Sequence, residues 1–161
     1  MKINRIWAMP NKETFKIKPI AELLRKHIPP GAKVLDPFPF EYKEDATEMM
    51  NKLEDESFEY GVFDPPYSPR QLKECYKGKG EYDTKSSTWG NWKDLFSRRI
   101  KIGGIVISFG WNSGGLGKNR GFKIIEILIV PHGGNHNDTI CVVEKKIQSN
   151  LETFLFKGGG K

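Results

Sequence analysis

Two apolar runs in this chain end on the same dipeptide, and that repetition limits the fold more than any other feature. Val34-Leu35 runs into Asp36-Pro37-Phe38, and Tyr60-Gly61-Val62-Phe63 runs into Asp64-Pro65-Pro66-Tyr67-Ser68. The second is the sharper signal, because two prolines fix φ for a rigid turn that holds a carboxylate and an aromatic ring three positions apart. In an open α/β sheet ligands bind beyond the carboxyl ends of the strands, which makes both aspartates candidate site residues.

The surrounding pattern predicts alternating strands and helices. Ile17, Ile20, Leu23, Leu24 and Ile28 recur at helical spacing and stop at Pro29-Pro30-Gly31, which predicts a helix from Ile17 to Ile28. Ala32 to Phe38 and Tyr60 to Phe63 are expected as short strands. Between them Thr47 to Leu53 is expected as a helix capped by Thr47. Arg70 to Tyr76 and Asn91 to Ile100 have room for helices, separated by a polar loop from Lys77 to Gly90. Gly104 to Phe109, Lys123 to Val130 and Thr139 to Glu144 are rich in Ile and Val and are expected as strands. The last two, joined through Pro131 to Asp138, could form an antiparallel pair. Such alternation predicts an α/β fold with a mostly parallel sheet.

The chain has 161 residues, which suits a single domain, expected over residues 1–156 with a frayed Gly-rich tail from Lys157 to Lys161. No apolar run approaches the ~20 residues of a membrane span, and no secretory leader is recognisable. Cys75 and Cys141 lie far apart without metal-ligand spacing, so a reducing cytoplasm is the expected setting and no metal is expected. The net charge of +6 suits a protein that meets a polyanion, and equally a merely basic surface.

The turn after the second run carries chemistry. The lone pair of an aromatic amine is delocalised into its ring and attacks poorly. The Asp64 carboxylate and the Pro65 carbonyl could accept the amine hydrogens and draw nitrogen toward tetrahedral geometry, while Tyr67 stacks on the base. Positive charge grows on nitrogen as a methyl group arrives, so acceptors placed in advance favour the transition state over the ground state.

Asp64-Pro65-Pro66-Tyr67 resembles the Asp/Asn/Ser-Pro-Pro-Tyr/Phe/Trp signature of the amino-methyltransferases of DNA. The run Phe63 to Gln71, then Phe109-Gly110-Trp111-Asn112-Ser113, His132-Gly133-Gly134 and Asn137-Asp138-Thr139, is similar to small adenine-specific methylases of phages and mobile elements. The resemblance implies a Rossmann-like class I methyltransferase sheet, mostly parallel with an antiparallel C-terminal strand. It also implies S-adenosyl-L-methionine as cofactor and transfer to N6 of adenine in duplex or single-stranded DNA, in a bacterial or phage-infected cytoplasm. By the same resemblance Asp64, Pro65, Pro66 and Tyr67 are catalytic. Phe15, Asp36, Pro37, Phe38, Asp45, Ala46 and Phe63 would bind the cofactor, and Ser68, Arg70, Lys118 and Arg120 would face nucleic acid. Phe15 also reads as an ordinary core residue, Asp45 as a helix N-terminal carboxylate, and the loop of Lys118 and Arg120 as solvated. A target-recognition domain does not fit, so sequence preference would come from loops, a homodimer or a specificity partner.

The chain departs from that family after its first strand. The family pattern Asp-x-Phe-x-Gly-x-Gly is replaced by Asp36-Pro37-Phe38-Pro39-Phe40-Glu41-Tyr42, without glycine. The interval from Phe38 to Tyr60 accommodates one crossover only, which predicts either a reduced sheet or residues missing between Phe38 and Pro39. Two other functions stay open: rRNA guanine-N2 methylation, which uses the same tetrapeptide type, and a degenerate methyltransferase fold that binds nucleic acid or a partner without catalysis. Gly114-Gly115-Leu116-Gly117-Lys118 lacks phosphate-loop spacing. His132 and His136 sit on a Gly-rich turn and are not expected to hold a metal. Trp89 and Trp92 read as core residues, with a rim role open.

Overall fold

A computed structural model of the chain describes residues 1–39, 44–67 and 86–149. Its strands are β1 (Lys2–Arg5), β2 (Val34–Leu35), β3 (Phe58–Phe63), β4 (Ile100–Gly110), β5 (Phe122–Val130) and β6 (Thr139–Lys146), and its helices α1 (Lys18–His27), α2 (Ala46–Asn51) and α3 (Ser86–Arg99). Among the described residues the strands form one sheet in the order β1-β5-β6-β4-β3-β2. Pairing is parallel for β1/β5, β2/β3 and β3/β4 and antiparallel for β4/β6 and β5/β6, so β6 alone runs against the other five. The α/β architecture and the antiparallel β5/β6 pair agree with the sequence pattern.

Side chains alternate across this sheet, so each strand feeds two cores. Phe63, Val106 and Phe122 point to the face covered by α2 and α3, where Met50, Trp92 and Phe96 meet them. Val62, Ile107, Leu128 and Val143 point to the opposite face, covered by Ile20 and Leu23 of α1. Pro19 lies in the first turn of α1, where a missing N–H costs nothing, and the chain leaves the helix at Ile28 ahead of Pro29. Lys26 and His27, at the negative end of that helix, reach Glu126 of β5 at 2.5 and 2.7 Å, and Asn4 of β1 reaches it at 3.1 Å.

Several local expectations need correction. The strand predicted over Ala32 to Phe38 shrinks to Val34–Leu35, because the Asp36 carboxylate accepts from the Phe38 N–H at 3.1 Å and turns the chain there. Asp45, not Thr47, caps α2: its Oδ1 accepts from the N–H groups of Thr47 and Glu48 at 2.9 and 3.1 Å. Thr47 lies inside the first turn, and its hydroxyl accepts from Trp92 Nε1 at 3.0 Å. Ser86 to Gly90, expected as loop, belongs to α3. The helix expected over 70–76 lies outside the described residues. β1 has no counterpart in the sequence pattern; its mixed run Lys2-Ile3-Asn4-Arg5 carries little strand signal and is recruited by pairing with β5.

Helix ends are closed by long cations. Arg99 donates from Nε to the Met50 carbonyl at the end of α2 at 2.8 Å and pairs with Asp55. Lys146, buried on β6, donates to the carbonyls of Ser97 and Ile100 at 2.7 Å each. Burial pushes its ammonium below the usual lysine range. β2 forms one edge of the sheet, and α2 is the only element described between β2 and β3. A strand beyond β2 is absent among the described residues.

Candidate active site at the carboxyl edge of the sheet

The five co-directional strands all end on one side of the molecule, and β6 starts there. That geometry gathers Asp36 after β2, Asp64 after β3, Trp111 after β4 and Thr139 at the start of β6. A cavity of ≈ 200 Å³ opens on this side, lined by Lys12, Glu13, Thr14, Phe15, Phe38, the run Asp64 to Tyr67, Phe109 to Trp111, and Thr139. Phe15 leans on Phe109 with ring centroids 5.3 Å apart and so forms an apolar wall.

Asp64 is partly exposed, while Pro65 and Pro66 beside it are buried. Desolvation lifts its carboxyl from the ordinary 3.8 to about 7; a hydrogen bond from the Thr14 side chain opposes the rise and the nearby Asp36 charge adds to it. Asp36 is itself raised to about 6 by desolvation, against the Phe38 N–H bond. Of these two repelling carboxylates Asp64 lines the cavity, beside Glu13 and Lys12, and Asp36 acts on it from outside the lining. Cys141, buried beneath them, has its thiol pushed far up by burial and by the Asp64 charge, and it is inert.

Tyr67 is held by indoles. Trp89 of α3 meets it nearly edge-on at 5.0 Å and 66°, and Trp111 covers it at 5.4 Å with planes 31° apart. A Cβ on Gly110 would stand 3.2 Å from its hydroxyl, so the ring would have to give by a few tenths of an ångström. Behind the ring, the loop Gly114 to Gly117 is pinned. The buried Glu144 carboxylate accepts from the N–H groups of Leu116 and Gly117 at 2.7 and 3.1 Å, and Lys93 donates to the Gly115 carbonyl at 2.5 Å.

Of the residues singled out in the sequence, Phe15, Phe38, Asp64, Pro65, Pro66 and Tyr67 line one cavity, and Asp36 lies within electrostatic range of Asp64. Pro37 is buried in the turn after β2. Phe63 is a core residue with its ring edge-on to Phe96 and Phe38 at 5.2 and 5.4 Å. Asp45 and Ala46 open α2 and do not line the cavity; Ala46 is fully buried. Ser68 and Arg70 lie outside the described residues. Lys118 is exposed, whereas Arg120 is committed to Asp94 at 2.6 Å and the Leu116 carbonyl at 2.9 Å. The loop of Lys118 and Arg120 is therefore braced through Arg120.

Other outcomes are structural. His132 is buried and bridges the Ala8 carbonyl and the Thr139 hydroxyl at 2.9 and 2.8 Å, and no metal-ligating cluster occurs among the described residues. Trp92 belongs to the core, and Trp89 takes the rim position behind Tyr67. Trp111 is legible only as a member of the segment Phe109 to Ser113, and the contacts of Thr14 with Asp64 and of Trp111 with Tyr67 carry no sequence signal. No helix among the described residues is long and apolar enough to cross a membrane. No family model and no curated protein matches this chain.

Proposed function

We propose that this chain is an S-adenosylmethionine-dependent methyltransferase of Rossmann-like class I architecture that acts on an exocyclic base amine, with N6 of adenine in DNA as its substrate. The observation that carries the proposal is the Asp64-Pro65-Pro66-Tyr67 turn, which closes β3 and puts a carboxylate, a carbonyl-bearing proline pair and an aromatic ring around one cavity. Among the described residues a single antiparallel strand, β6, in an otherwise parallel sheet supports the fold assignment.

The residues suit the methyl-donating part of the cofactor. Its sulfonium and ammonium charges match the Asp64 carboxylate, with Asp36 adding negative charge from outside the lining, and Phe15 and Phe38 supply apolar walls. When bound, the cofactor supplies an electrophilic methyl group. Asp64 and the Pro65 carbonyl accept the amine hydrogens and hold nitrogen pointing into the cavity. Thr14, by donating to Asp64, orients the carboxylate and favours its charged form. Tyr67 supplies a stacking surface that offsets part of the few kcal/mol needed to unstack a base.

A second reading, a fold that binds nucleic acid without catalysis, is favoured by one observation: the described sheet ends at the two-residue β2, so no further strand there brings an acid to the cofactor ribose. The deciding experiment incubates the protein with labelled S-adenosylmethionine and duplex DNA, single-stranded DNA or RNA, followed by nucleoside analysis. N6-methyladenosine in its deoxy form is expected. Nucleic-acid binding without cofactor binding would establish the second reading instead.

A further inference from the structure

Trp111 stands where a base would have to go. Its indole lies 5.4 Å from the Tyr67 ring, centroid to centroid, with planes only 31° apart, so the two rings turn faces toward each other. A planar base held between two rings needs two stacking intervals of about 3.4 Å, about 6.8 Å in all. A centroid separation of 5.4 Å leaves no such gap. For a base to reach this face of Tyr67, one ring must leave.

The two indoles next to Tyr67 differ in their freedom to do so. Trp89 belongs to α3, whose Trp92 and Phe96 are buried in the core, so moving it means unpacking the helix. Trp111 is 52% exposed and begins an exposed stretch, Trp111 to Gly114, just beyond the end of β4. Its displacement leaves both cores undisturbed. The same indole lines the cavity beside Asp64 and Pro66, so its departure enlarges the space in front of the carboxylate.

We propose that Trp111 is a placeholder for the substrate base, covering the stacking face of Tyr67 and exchanging with an extruded base. This rests on the nucleobase reading above. Until exchange, the indole keeps water from the apolar ring face beside Asp64. Only a planar ring that stacks at least as well as an indole can take its place, which makes Trp111 a selector for a purine over smaller groups.

The test uses the full chain, Trp111→Ala and Trp111→Phe, with a short oligothymidylate carrying one adenine and the same oligonucleotide abasic at that position. Tryptophan emission should change on binding the adenine oligonucleotide more than on binding the abasic one, and this difference should vanish in Trp111→Phe. Removing a competing aromatic contact should tighten Trp111→Ala binding to the adenine oligonucleotide roughly two- to tenfold, with the abasic one unchanged. Weaker adenine binding by Trp111→Ala would make Trp111 a stacking platform and overturn the proposal, as would equal effects on both oligonucleotides. If the wild-type protein does not distinguish the two oligonucleotides, the base-recognition reading fails and the placeholder with it. If it distinguishes them and Trp111→Ala does not bind more tightly, the placeholder alone fails.

Discussion

The two Asp-Pro turns look alike in sequence and are built differently. Asp64 follows a six-residue strand paired on both sides, with Phe63 opposite Ser108 on β4 and Gly61 opposite Leu35 on β2. Asp36 follows a two-residue strand at the sheet edge, and its own carboxylate makes the turn by accepting the Phe38 N–H. Position is imposed on Asp64 by the sheet, whereas Asp36 largely fixes itself. Both carboxyls are desolvated and raised, to about 7 and about 6 respectively. Under the proposed function, a rigid frame suits the acceptor of the amine hydrogens, and a local turn suffices for a carboxylate that acts on the cofactor through its charge.

Substituting both aspartates makes the strongest test of that contrast. Asp64→Ala should lower kcat by about 10²–10³-fold, the usual cost of removing a preorganised stabilising group. Asp36→Ala should mainly raise the KM for S-adenosylmethionine. Equal losses of kcat in steady-state assays of the two variants would break the distinction between the turns.

The raised Asp64 pKa predicts opposite pH trends for activity and stability. As an acceptor Asp64 must be ionised, so kcat/KM should rise with pH through about 7. The folded protein keeps a proton that the unfolded chain releases above 3.8, so this group's contribution to stability falls as pH climbs from about 4 to about 7. Asp64→Asn should remove this group's part of the slope, leaving the part that Asp36 contributes between about 4 and about 6, and melt higher than wild type at neutral pH, in thermal scans across the range. Thr14→Val removes a bond that lowers the pKa, and should move the activity profile toward higher pH. An unmoved profile would mean that Thr14 does not support the ionised carboxylate.

The difference between the turns also explains what the sequence could disclose. The Val62-Phe63-Asp64-Pro65-Pro66-Tyr67 run is legible because hydrophobic run, strand end and proline turn coincide, and tertiary contacts lengthen β3 without moving that end. Around β2 the same cues mislead: the apolar stretch to Phe38 promises a longer strand, but Asp36 and Pro37 end it early. The contact of Thr14 with Asp64 spans half the site and has no local pattern. Nor does that of Glu144 with the Gly114 to Gly117 loop, which depends on β6 lying next to β4.

That loop offers a smaller test, of the frame behind Tyr67. Gly115 has φ +55°, and a Cβ there would overlap the buried Glu144 carboxylate. Gly115→Ala should therefore cost about 1–3 kcal/mol through overpacking and backbone strain. Chemical denaturation would measure the loss. A neutral substitution would show that the frame on the β4 and β6 side is more pliant than its hydrogen bonds imply.

The smallest expected effect lies on the β2 side and decides what Asp45 is for. Its Oδ1 accepts two backbone N–H groups at the start of α2, and such a cap is typically worth about 1 kcal/mol. For a chain of this size that corresponds to a fall in Tm of roughly 2–4 °C for Asp45→Ala. Asp45 does not line the cavity, so a cap alone predicts an unchanged Kd for S-adenosylmethionine. Direct contact with the cofactor predicts a loss of about tenfold or more, because a charge-assisted hydrogen bond worth ~1.5–3 kcal/mol would be removed. Calorimetric titration of cofactor into Asp45→Ala, beside Asp45→Asn, separates the two. Asparagine caps helices about as well as aspartate, so the Asn variant keeps the stability and removes only the charge. If Asp45→Asn melts like wild type and binds cofactor like wild type, the acid at this position serves α2, and of Asp36 and Asp45 only Asp36 is left to serve the cofactor.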